Sequence, residues 1–140
     1  MATQILCNSF KVELFEAIHD FTTGTGDTFK MAFYTAATLS ASTTAYTSAG
    51  ESVGAGYTPG GVELTSISPA LDGSTAVVSF ENSFYGPVSI SYIQALIYNS
   101  SKNNRAVALF TFDEERVISG GYLAIEMPPA TATNGILRAA

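Results

Sequence analysis

The chain has no Trp, one Cys and one His, and its charges are few, with Lys and Arg together numbering 6 against 12 for Asp and Glu. Each scarcity removes a class of chemistry. The single Cys7 closes no internal disulfide, and with His19 as its only possible companion there is no Cys/His spacing of the zinc type. No cofactor and no metal is expected, and the thiol suits a reducing compartment. Phosphate backbones are read by clustered Lys and Arg, whereas this chain carries a net charge of −6 and brings only Lys102 and Arg105 close together in sequence. Nucleic acid is therefore not an expected partner. The opening residues lack the basic start and long apolar stretch of a secretion signal, and no run of ~18 apolar residues is long enough to cross a bilayer. The expectation is a soluble protein that is not exported by that route and has no membrane partner, so the sequon at Asn99 has no expected use.

What the chain does have is apolar material. Hydrophobic residues make up 46%, including seven Tyr and nine Phe, which is enough for a core and excludes global disorder. Its 140 residues fit one domain, residues 1–140, burying roughly two thirds of the surface of the unfolded chain. Charged residues, at 13%, are about half the usual share, and Ser, Thr, Ala, Gly and Asn fill the gaps. Few ions need desolvating when a neighbour covers such a surface, which suits life in an assembly. An ordinary β domain with Ser/Thr-rich turns would have the same composition.

Periodicity changes along the chain. Phe10, Leu14, Ala17, Ile18 and Phe21 recur at helical spacing and leave Lys11, Glu13, Glu16 and Asp20 toward water, predicting one helix over about residues 9–21, capped by Asn8 or Ser9. From Thr28 to Thr35 the rhythm becomes that of a strand, with Phe29, Met31 and Phe33 alternating with Lys30, Ala32 and Tyr34. Residues 36–61 carry turn and loop chemistry, with a brief strand about Ala45 to Thr47. A loop of this length is usually functional, which makes it a candidate for contact with another subunit; a flexible arm without a partner is the alternative.

Beyond residue 61, strands are predicted at Val62 to Ile67, Thr75 to Glu81, Val88 to Tyr98, Ala106 to Phe112 and Tyr122 to Met127, with turns at Pro69 to Gly73 and Asn99 to Asn104. The two most hydrophobic strands, flanking Asn99 to Asn104, should form the central hairpin. Pro128 and Pro129 end the last of these strands, and Gly135 to Arg138 supply a final edge strand. The fold class expected is mainly β, an antiparallel sandwich or jelly-roll-like barrel of about eight strands with one short N-terminal helix.

Catalytic patterns are weak. Any Ser-His-Asp or Cys-His arrangement must use His19, which the predicted helix places near its carboxyl end, where the macrodipole alone justifies an imidazole. Asp113, Glu114 and Glu115 read as a solvated turn, since the spaced acids of a calcium loop are missing. Paired carboxylates of the glycosidase kind depend on a separation in space that spacing along the chain does not reveal. Gly24-Thr25-Gly26 and Gly54-Ala55-Gly56 lack the Lys and Ser/Thr that a phosphate loop needs. No enzyme is expected.

The run from Gly24 to Thr35, the stretch Thr43-Thr44-Ala45-Tyr46, the loop from Gly54 to Gly61, the segment Ala95 to Ala108 and the closing Ala132 to Arg138 resemble small virion structural proteins of tailed bacteriophages. The likeness covers nearly the whole chain. It implies a virion component made in the bacterial cytoplasm, and size and composition favour a capsid decoration, or cement, protein that binds the major capsid protein as a homo-oligomer, with a trimer suited to a local three-fold axis. A tail, neck or fibre component is the first alternative, and a carbohydrate-binding module or small hydrolase the second. Candidate interface residues are Tyr46, Tyr57, Thr58, Asn99, Lys102, Asn104 and Arg105, with the N-terminal helix as a second docking face.

Overall fold

The most hydrophobic stretch of the sequence folds as a long hairpin. In the computed structural model, which describes residues 2 to 139 and so omits the two ends of the expected domain, β6 (Ser83–Asn99) runs antiparallel to β7 (Arg105–Ile125). The turn between them takes Asn103 and Asn104 through positive φ, each at 57°, a conformation Asn tolerates better than other non-glycine residues. Around this hairpin β1 (Ala2–Leu6), β2 (Phe29–Tyr34) and β3 (Val62–Leu64) complete a five-stranded sheet in the order β1-β7-β6-β2-β3. A second sheet, in the order β4-β5-β8, comprises β4 (Ser66–Asp72), β5 (Thr75–Phe80) and β8 (Leu137–Ala139). Both sheets are antiparallel, and the sandwich-like arrangement is the one expected.

An aromatic seam joins the layers. The Phe29 ring on β2 stacks on Phe21 at 4.5 Å and meets Phe80 of β5 edge-on at 5.6 Å, all three being buried. Offset and edge-to-face rings of this kind contribute about 0.5–1.5 kcal/mol per pair beyond their buried area. Because β2 lies between β6 and β3 with both faces covered, Ala32 and Tyr34 are buried together with Phe29, Met31 and Phe33. The expected alternation is therefore lost at that strand.

Other boundaries move for identifiable reasons. The helix, α1 (Asn8–Phe15), stops about six residues short of the expected end: Ala17 turns to φ 58°, and the Ile18 N–H donates to the Glu13 carbonyl while the Ala17 N–H donates to that of Leu14. This pair of bonds is a Schellman stop, here with Ala where Gly is usual. Cys7 occupies the cap position with no side-chain bond, so neither Asn8 nor Ser9 is the cap. The predicted strand at Val62 to Ile67 divides at Thr65, sending its halves to different sheets. Pro69 sits inside β4 where the register with β5 shifts, at a position that tolerates the missing N–H. The predicted strands at Ala106 to Phe112 and Tyr122 to Met127 are one strand, β7, and the three acids form no turn: Asp113, Glu114 and Glu115 lie exposed in β7 where its register with β6 slips between Tyr92 and Gln94. β1, which pairs with β7 from Ala2 opposite Phe112 to Leu6 opposite Ala108, has no counterpart in the sequence reading.

Candidate interface site

Residues 36–61 contain almost no ladder structure. The expected strand about Ala45 reduces to a single bridge to Arg105, with a second bridge from Tyr34 to Glu51. The segment is nonetheless fixed. Glu51 Oε1 accepts from the Tyr46 hydroxyl at 2.6 Å, and Oε2 accepts from the Tyr57 hydroxyl at 2.7 Å and from the Gly60 N–H at 2.8 Å. Tyr57 also accepts from the Phe33 N–H at 3.1 Å, and Tyr34 donates to the Thr47 carbonyl at 2.8 Å, so the loop is tied to β2 at its middle and near its far end. The Tyr46 ring stacks on Tyr98 at 4.8 Å. Burial first and the Glu51 carboxyl second push the hydroxyls of Tyr46 and Tyr57 well above the ordinary phenol value, which keeps both as donors. Farther along, the Ser52 hydroxyl donates to the Ser91 carbonyl and the Ser89 N–H donates to that of Ala55, closing the free side of β6.

A second network occupies the turn end of the hairpin. His19, expected on the helix, instead lies in the irregular chain after it, with its side chain fully buried. Glu13, expected toward water, is buried; its Oε1 lies 2.8 Å from His19 Nε2, and its Oε2 accepts from Arg105 at 3.1 Å. Asn99 fixes the imidazole. Its Oδ1 accepts from the Ser101 N–H at 3.0 Å, so its Nδ2 faces His19 Nδ1 at 3.0 Å and Asp27 Oδ2 at 2.8 Å. The acceptor at Nδ1 leaves the ring proton on Nε2, directed at Glu13. Asp27 also takes Lys102 Nζ at 2.7 Å. Burial pushes the Asp27 carboxyl upward, but Lys102, Asn99 and the Asp20 N–H outweigh it and hold the group below the usual carboxylate value.

The interface residues read from the sequence thus divide. Tyr57 and Asn99 are buried and belong to these internal networks. Tyr46 and Arg105 are half-buried and bonded to Glu51 and Glu13. Thr58 and Asn104 are exposed, and the Lys102 side chain is 41% exposed despite its ion pair. The structure brings Asn99, Lys102 and Arg105 together around the turn, while Tyr46, Tyr57 and Thr58 gather near Glu51. Sequence reasoning missed Glu51 itself, although it is the one charged residue in 36–61, and a lone acid flanked by Tyr46 and Tyr57 is a legible signal for an internal acceptor.

A half-open cavity of about 560 Å³ lies beneath the far half of the hairpin, walled by Phe33, Tyr92, Phe112, Leu123, Ile125 and Met127. Arg116 crosses its rim with the guanidinium 5.2 Å from the centre of the Phe112 ring. Cys7 is buried, and burial, followed by Glu13, pushes its thiol up to about 11, far from a nucleophilic thiolate. Among the described residues no group of three or more His, Cys, Asp and Glu is placed to hold a metal ion, and no helix is long and apolar enough to cross a membrane. Comparison with protein-family models, with curated proteins and with solved structures finds no match.

Proposed function

We propose that this chain is a structural, non-catalytic component of a tailed-phage virion, a capsid decoration protein that docks on the major capsid protein lattice as a homotrimer. The observation that carries the reading is the pinned loop: 26 consecutive positions, 36–61, hold little regular structure, yet Glu51 and four tyrosines fasten them to the sheet. An assembly surface already ordered before contact loses little conformational entropy on association, so a modest interface between copies of the trimer suffices. The same loop carries no formal charge besides Glu51, so covering it desolvates few ions. His19, the sole imidazole, serves the internal network with both ring nitrogens.

The sequence resemblance supplies the context of a phage particle, and the rigid, sparsely charged sandwich supports it. Purified protein mixed with undecorated capsids should co-sediment with them and raise their thermal stability, and its native mass should be three times that of the chain. Failure to bind capsids, with a native mass of six or twelve chains, would place it in a tail or neck ring instead.

A further inference from the structure

We propose that the half-open cavity under the far half of the β6–β7 hairpin seats an apolar side chain from a basic segment of a partner protein. The inference deepens the assembly reading and rests on it for the partner being a protein. Its geometry comes from the cavity. Its floor is formed by Phe33, Tyr92, Leu123, Ile125 and Met127, all buried, and its rim by the exposed Arg116, Ala124 and Glu126, around a volume of about 560 Å³. An apolar group entering that space would displace water from the carbon of the walls favourably. The volume falls within the range of about 300–1,000 Å³ typical of binding cavities.

Charge selects the segment that carries the anchor. Glu126 and Arg116 line the cavity, and Glu114 and Glu115 are exposed along β7 between the lining residues Phe112 and Arg116, so acids outnumber the one cation on this stretch of the surface. That cation is already laid against the Phe112 ring. An acidic ligand, such as a fatty acid, meets this excess unfavourably, and so does a second copy of a chain whose net charge is −6. An apolar side chain flanked by Lys or Arg matches both the walls and the rim.

The test uses the full chain and a synthetic pentapeptide of one phenylalanine flanked on each side by two lysines, followed by ¹H–¹⁵N NMR titration. The expected result is a saturable shift of the Phe112, Leu123 and Ile125 amide signals, weakened about tenfold by the double change Glu114→Lys and Glu115→Lys and also by raised salt. A peptide with alanine in place of phenylalanine should not saturate these signals, and one with glutamates in place of the lysines should bind more weakly. No shift at these residues with millimolar peptide, equal binding of the glutamate peptide, or concentration-dependent self-association that fills the same site would each overturn the proposal. Capsid co-sedimentation is read separately: binding to capsids without peptide seating sinks this inference alone, and peptide seating without capsid binding sinks the decoration reading alone.

Discussion

Removing the Glu51 carboxylate should unfasten the 36–61 loop, and the size of the effect follows from its partners. Glu51→Ala deletes three hydrogen bonds, two from tyrosine hydroxyls and one from the Gly60 N–H. Bonds to a charged acceptor contribute about 1.5–3 kcal/mol each when removed singly, but the half-buried Tyr46 hydroxyl regains water and the three losses are not additive. The buried Tyr57 hydroxyl has no such recourse. A net loss of about 3 kcal/mol is expected, lowering Tm by roughly 6–12 °C at ~2–4 °C per kcal/mol for a chain near this size. Glu51→Gln should cost about 1 kcal/mol, since its oxygen can serve Tyr57 and Gly60 while the Tyr46 hydroxyl rotates to accept from its amide. Urea unfolding with an unchanged slope gives the stability difference, and amide hydrogen exchange at Thr35 and Ser52, whose N–H groups donate to Gly50 and Phe33, reports the loop itself. A change below about 0.5 kcal/mol with unaltered exchange at both amides would refute the claim that Glu51 fastens the loop.

Ala17→Gly should stabilise the protein by about 1 kcal/mol in the same urea assay, because the residue is exposed and held at φ 58°, where a Cβ is disfavoured; a neutral or destabilising result would contradict that stop. The Asp27 carboxyl is held low in the fold, so its contribution is complete above the ordinary value of about 3.9 and is lost as pH falls through the lower folded value; the stability gap between wild type and Asp27→Asn should shrink in that acid window and stay constant from pH 5 to 7. Cys7, fully buried and pushed up to about 11, should react with a thiol reagent at neutral pH only as fast as the chain opens, and a labelling rate independent of urea would contradict this.

Elements were legible in the sequence wherever local pattern and tertiary context agree. The β6–β7 hairpin is announced by two apolar runs around Asn99 to Asn104, and the β4–β5 hairpin by Asp72-Gly73, with Gly73 at φ 64°. The helix was overread because Ala17, Ile18 and Phe21 continue a helical spacing, and nothing local to Ala17 signals a left-handed residue. Phe21 is buried as expected of an apolar position, but through its stack on Phe29 and not on a helix face. β1 was missed because five residues beginning Ala-Thr-Gln carry no apolar alternation, and their strand state comes from pairing with β7. The internal networks escaped for the same reason: Glu13 and Arg105 are 92 positions apart, and Asp27 and Asn99 are 72. Separations of that kind are set by topology, which one chain's pattern does not encode locally.

The distribution of charge over the surface separates two kinds of contact. Of the six cations, Lys102 and Arg105 are paired with Asp27 and Glu13, which leaves Lys11, Lys30, Arg116 and Arg138 against ten other acids. The outward field is therefore dominated by acids such as Glu63, Glu81, Glu114 and Glu115, all exposed. On the proposed reading, copies of the chain meet one another in a trimer, and like-charged faces turned together would repel. The loop 36–61 avoids that penalty, because its one acid points inward to tyrosines. It is the face suited to copy-to-copy contact, whereas the acidic rim at Glu114 and Glu115 is suited to a foreign, basic surface. Raising salt should accordingly weaken attachment to the capsid while leaving the native mass unchanged; a trimer that falls apart in salt before attachment is lost would reverse the assignment of the two faces.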